Sequence, residues 1–262
     1  MRPTEIIDLV AGSEVAAHSR VERVYRALRQ NGVIKQKGRG RYATSLGLED
    51  LSKVLIGSGL PLPVEDAAAA VRAIAMLELR ESKLEGRVPS PIHGGDDMFA
   101  KHMDTLPATI AQHLDCAAGP IRSLSEVLKL AAEHRVFALT PEPISSGHFE
   151  PQYTTSDVTF IVTGGPALTN PRCQIRCVYR SVGHVIIFFG ETEDTNSFSG
   201  FTKRWSRSVH VSVAIGVDSI HYIASKLRTI DASADAGPRM RGWNKRKSDE
   251  AQAQTDPGQG DG

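Results

Sequence analysis

Beyond residue 150 the apolar positions change from a helical spacing to strict alternation, and that change limits the folds open to the chain. Val158, Phe160 and Val162 alternate with polar residues, as do Cys173, Ile175, Cys177 and Tyr179, and then Val209, Val211, Val213 and Ile215. A period of two places such residues on one face of a strand. Residues 184–189, HVIIFF, form a continuous apolar run suited to a central strand. Turn signals at Gly164-Gly165-Pro166 and Asn170-Pro171 separate the first two strands. Residues 217–227 then place Val217, Ile220, Ala224 and Leu227 on one helical face. The expected class is α+β, with a helical middle and a C-terminal antiparallel β-sheet of four strands finished by a closing helix.

Upstream of that point the pattern is helical. Residues 3–10 turn Ile6, Ile7 and Val10 inward, and residues 13–17 predict a second short helix. Ser19 opens the best-defined helix, where Ser19 and Glu22 match a capping box. Gly32 after Asn31 predicts its stop at positive φ. Residues 48–56 and 64–81 predict two more helices, the second rich in alanine. The stretch 83–98 holds Gly86, Pro89, Pro91, Gly94 and Gly95, has no period, and reads as a linker. Helices at 99–116 and 124–135 follow. The resulting division is 1–82 as an N-terminal winged helix-turn-helix with two extra helices, 83–98 as linker, 99–228 as an accessory or dimerisation domain, and 229–262 as a disordered basic tail.

Charge is the most informative local feature. The chain of 262 residues has a formal net charge of only +1. Between Ser19 and Arg41 stand Arg20, Arg23, Arg26, Arg29, Lys35, Lys37, Arg39 and Arg41, with Glu22 as the single acid. Eight cations less one anion make +7, which leaves −6 for everything else. Segregation of this kind marks a patch with a charged partner. On a wheel of about 100° per residue with Arg20 at zero, Val21, Val24, Tyr25 and Leu28 fall between roughly 40° and 140°. Arg23 and Arg26 fall near 300° and 240°, opposite that stripe, while Arg20 and Arg29 flank it.

Val33-Ile34-Lys35 and Arg41-Tyr42-Ala43 bracket a basic, glycine-containing tip and predict a β-hairpin. A cationic helix followed by a basic hairpin is the organisation of a winged helix-turn-helix, whose helix fits the major groove. Arg23 and Arg26 are expected towards base edges. Arg20, Lys35, Lys37, Arg39 and Arg41 are expected towards phosphates, with Arg29 completing the basic set. About five phosphate contacts per protomer predict a slope of log K against log salt near −4.5. The same residues on a plain solvated helix, or on a face for RNA or protein docking, are the competing readings.

The run RVERVYRALRQNGVIKQKGRGRYATSLGLEDLSKVLIG resembles the N-terminal segment of a group of uncharacterised winged-helix proteins from alphaproteobacterial phages and prophages. The pieces VTFIVTGG, CQIRCVYR, HVIIFFG and IGVDSIHYIASKLR are similar to their C-terminal β-domain and closing helix. The resemblance implies a phage-type DNA-binding protein with an accessory domain and no enzymatic activity. The sequence departs from that group at Tyr42-Ala43-Thr44 and in the stretch 191–195.

Other chemistries find little support. His93-Gly94-Gly95-Asp96-Asp97 offers one His and two carboxylates, but within the linker. The sequence does not identify the partners of His210 and His221, which read as polar surface positions, and Ser145-Ser146-Gly147-His148 lacks a nucleophile elbow. Neither a P-loop nor a dinucleotide fingerprint occurs. No enzyme activity, cofactor or metal is therefore expected. Cys116, Cys173 and Cys177 read as half-buried free thiols, because Cys173 and Cys177 on one strand lie too far apart to bridge. Neither a signal peptide nor an apolar run of membrane-spanning length is read, so a cytoplasmic protein is expected. The segment 239–247, RMRGWNKRK, has five cations and a Trp, and reads as either an auxiliary nucleic-acid arm or a solvated tail. The expected partners are double-stranded DNA, a second copy of the chain, and a protein at the C-terminal domain. The expected role is a sequence-specific regulator of phage or mobile-element transcription, the alternative a DNA-packaging or assembly adaptor that binds as a ring.

Overall fold

A computed structural model describes residues 1–35, 45–86, 97–133, 155–165, 168, 170–179, 183–190 and 211–235. Within them the chain forms seven α-helices and one five-stranded antiparallel sheet. The helices are α1 (Pro3–Gly12), α2 (His18–Gln30), α3 (Leu48–Gly59), α4 (Ala67–Ala75), α5 (Asp97–His113), α6 (Pro120–Ala132) and α7 (Val217–Asp235). The strands are β1 (Glu78–Glu85), β2 (Thr155–Gly164), β3 (Arg172–Tyr179), β4 (Gly183–Gly190) and β5 (Val211–Ile215), in the spatial order β1-β4-β3-β2-β5. By contacts Met1–Lys226 is one compact unit and Leu227–Gly262 a second.

The alternation expected after residue 150 produces one apolar face of the sheet. Phe160, Ile175 and Ile187 stand opposite one another across β2, β3 and β4. Val162 pairs with Cys173, which pairs in turn with Phe189. All six residues are buried. Cross-strand pairs of this kind set the register, because a slip of one residue would turn every apolar side chain to the other face. Helix α5 packs near β1 and β4, and α3 reaches β5. A methyl group added at Gly59 would lie 2.7 Å from Val213 Cγ2, so the absent side chain permits that approach.

The fifth strand is the main departure from the sequence reading. Residues 64–81 form no single long helix. Val64–Asp66 is a 3-10 turn, α4 ends at Ala75, and the chain enters β1 at Glu78. β1 pairs antiparallel with β4 from Glu78↔Gly190 to Glu85↔His184. Its sequence, ELRESKLE, carries no apolar alternation, and the pairing overrides a helical propensity. Lys83 to Glu85 are therefore strand rather than linker, and 87–96 lies outside the described residues. Most of β1 falls in the segment expected as 1–82. The first segment supplies an edge of the sheet, and α3 packs on α6 within the same compact unit.

Two smaller corrections concern the N-terminal helices. Residues 13–17 are a turn, not a helix: Glu14 adopts φ 61° and buried Ser13 donates its hydroxyl to the Val10 carbonyl at 2.8 Å. The capping box at Ser19 does not form, because α2 starts earlier. The amides of Arg20 and Val21 already donate to the Ala17 carbonyl, at 2.9 and 3.1 Å, so Ser19 lies inside the first turn. The predicted stop is present, with Gly32 at φ 70°. Residues 229–235, expected as tail, are the end of α7, and 236–262 lie outside the described residues.

Candidate nucleic-acid interface

Helix α2 is held by its apolar stripe. Val21, Val24, Tyr25, Ala27 and Leu28 are buried against α1, α3 and α4. The opposite face carries Arg23, Arg26 and Gln30, with Arg29 at its margin, all exposed. The helix is thus anchored along one side and presents guanidinium groups along the other, as the wheel predicts.

The eight candidate residues do not share one environment. Arg20 turns inward. Its Nε donates to the Ser58 carbonyl at 2.9 Å, and its Nη2 donates to the carbonyls of Leu62, at 2.8 Å, and Leu60. These acceptors lie at and just beyond the end of α3, where helix carbonyls lack intrahelical partners and carry partial negative charge. Arg20 is therefore a cap for α3, with its donors turned to these carbonyls rather than outward beside Arg23 and Arg26. Arg26 pairs with Glu22 one turn earlier on the exposed face. Arg23 reaches back to the Ser19 carbonyl at 3.4 Å, a weak exposed contact. Arg29 and Lys35 are exposed and hold no ion pair among the described residues. Lys37, Arg39 and Arg41 lie outside the described residues.

The first arm of the expected hairpin does not form a strand. Val33 and Ile34 fold back under the end of α2, and both amides donate to the Leu28 carbonyl, at 2.9 and 3.3 Å. Ile34 is buried by that turn, which leaves Lys35 at the surface. The second arm, 41–43, lies outside the described residues.

The fold adds a cation that sequence reasoning missed. Arg72 on α4 is exposed, and its Nη2 donates to the Asn31 carbonyl at the end of α2. The Asn31 side chain in turn donates to the Ala27 carbonyl at 2.9 Å. Arg72 is the only charged residue of AAAAVRAIA, a signal that needs the helix pairing to be interpreted. Arg20 meets Leu62 and Asn31 meets Arg72, so residues 62–72 run alongside α2 in the same direction. That arrangement places the exposed carboxylates of Glu65 and Asp66 towards the start of α2 and Arg72 at its end. Asp50 is near the middle of the helix: burial pushes the Tyr25 phenol up, Arg29 draws it down, and Asp50 raises it. Asp50 itself is paired with Lys53 at 3.2 Å.

Of the residues weighed for other chemistry, His93, Ser145, Ser146, His148, His210 and the 239–247 segment lie outside the described residues, and His221 is exposed on α7. Cys116, Cys173 and Cys177 are free and fully rather than half buried. Among the described residues no group of His, Cys, Asp and Glu could hold a metal ion, and no helix is long and apolar enough to cross a membrane. Comparison with family models, with curated proteins and with solved structures finds no match.

Proposed function

We propose that this chain binds double-stranded DNA through a helix-turn-helix, with α1 and α2 as the helix pair and the basic run 35–41 in the place of a wing. The observation that carries the reading is the division of α2 into a buried apolar face and a face of exposed arginines. A helix so anchored brings several cations to a polyanion without itself having to move. Arg23 and Arg26 face the groove, while Lys35, Lys37, Arg39 and Arg41 meet phosphates. Homodimers suit the role of a transcriptional regulator of phage or mobile-element genes, because one helix reads few base pairs and two-fold pairing doubles the site.

The test is equilibrium binding of a fluorescent duplex across a salt series. With Arg20 withdrawn, about four phosphate contacts per protomer give an expected slope of log K against log salt near −3.6. Absence of binding to mixed-sequence duplex at about 50 mM salt sinks the proposal. Arg26→Ala is expected to relax sequence preference, and Arg39→Ala to weaken binding to all sequences alike. Solution mass separates the two roles: a dimer supports the regulator, whereas a ring of many copies transfers the reading to a packaging adaptor.

A further inference from the structure

We propose that Arg72 is a DNA-contacting residue and that the phosphate backbone lies over the carboxy-terminal end of α2. The inference rests on the duplex-binding reading and assigns a contact to a residue 31 positions beyond Arg41, the last cation of the basic run.

The argument begins with the helix dipole. The last carbonyls of a helix carry about half a negative charge, which repels a phosphate placed there. At the end of α2 that charge is covered. The Asn31 carbonyl accepts from Arg72, and the Ala27 carbonyl accepts from the Asn31 side chain at 2.9 Å. Arg72 spends one donor on this bond and stays exposed, so further N–H groups of its fork face solvent. Arg29 and Lys35 are exposed at the same end. The chain then enters the run that holds Lys37, Arg39 and Arg41.

The opposite end of α2 is less suited to a polyanion. Glu65 and Asp66 are exposed towards it, His18 meets the exposed Asp8 carboxylate at 3.4 Å, and Arg20 is occupied by the end of α3. Arg26, midway, shares its charge with Glu22. Apart from Arg23, the exposed cations that hold no carboxylate partner, Arg29, Lys35 and Arg72, therefore gather at the end of α2, and a phosphate chain is drawn there. A guanidinium suits this place, since a fork can keep one bond to a carbonyl and offer others to a phosphate oxygen.

The experiment compares wild type, Arg72→Gln and Arg72→Lys on one fluorescent mixed-sequence duplex across a salt series. Arg72→Gln keeps a donor for the Asn31 carbonyl and removes the charge. With Arg72 counted as a fifth contact the wild-type slope is near −4.5, and Arg72→Gln is expected to bring it to about −3.6, one phosphate contact fewer. Arg72→Lys is expected to leave the slope as in wild type. An unchanged slope in a folded Arg72→Gln variant overturns the proposal and leaves Arg72 as a cap for α2 alone. Failure of wild type to bind duplex defeats the underlying reading instead, and is seen before any variant is compared. Arg122→Ala, which removes a surface arginine engaged with Glu49 and Asp115, serves as the control and is expected to keep the wild-type slope.

Discussion

Arg20 Nε lies 2.9 Å from the carbonyl oxygen of Ser58, across 38 residues of chain. With the bonds to Leu60 and Leu62 it joins α2 to the end of α3 and fixes which way α2 is turned about its axis. Arg20→Ala is expected to cost about 2 kcal/mol, the scale of hydrogen bonds from a charged donor to partly buried carbonyls. The measurement is the urea midpoint at constant m-value. Under the proposed function the salt slope of DNA binding stays unchanged in this variant. A slope reduced by one contact would return Arg20 to the phosphate set.

Glu22 restrains Arg26 and adds a negative charge to the proposed contact face. Glu22→Gln is expected to tighten duplex binding. A charge roughly 7 Å from a phosphate is worth about 0.6 kcal/mol in water, about threefold in Kd. The check is a binding isotherm at fixed low salt; weaker binding by the variant argues against α2 as the contact face.

Gly59 lets α3 meet both the turn after α1 and the sheet. A methyl group there would sit 2.7 Å from Val213 Cγ2 and 2.8 Å from Val15 Cγ1. Gly59→Ala is expected to destabilise by about 1 to 3 kcal/mol through overpacking. Adding Val213→Ala removes part of the clash and is expected to cost less than the two single changes summed. Simple additivity of the two would show that the sites do not touch.

The three thiols make stability fall at alkaline pH. Burial pushes the Cys116 thiol up from its ordinary 9.0 to about 11 and the Cys177 thiol to about 12, and Cys173 moves in the same direction. The unfolded chain releases these protons at lower pH than the folded one, so above the ordinary value it binds fewer protons and gains on the folded state. The stabilisation is complete below about pH 9 and is lost as pH rises towards 11 and 12. Urea midpoints at pH 7, 9 and 10 are expected to stay level and then decline. A thiol-reactive chromogenic reagent is expected to label the native protein slowly at pH 7 and the unfolded protein quickly. Rapid native labelling would mean that the thiols are reached without unfolding.

What could be read from the sequence divides along physical lines. Phe160, Ile175 and Ile187 declare a sheet face because alternation is a local signal and all three are large and apolar. α2 was equally legible, from Val21 to the turn at Gly32. β1 was not, because ELRESKLE lies at an edge and owes its strand form to pairing with β4, with Glu78 opposite Gly190. The wheel placed Arg20 beside the apolar stripe but had no means of showing that the end of α3 lay beyond it. Arg72 was missed for the same reason: its contact with Asn31 spans 41 residues. Both misses are long-range hydrogen bonds, which periodicity and composition do not encode.

The place of β1 also dictates an order of assembly. β2, β3 and β4 follow one another in the chain and pair as neighbours, so that meander closes through short loops. β1 is made long before its partner, and Glu78 waits for Gly190. On a growing chain the N-terminal helices therefore emerge with an unpartnered strand attached. Its charges, Glu78, Arg80, Glu81, Lys83 and Glu85, keep that strand soluble and poor at pairing with other chains in the interval. The closure of β1 on β4 is a late, entropically costly step, and mutations in that pair are expected to speed unfolding more than they slow folding.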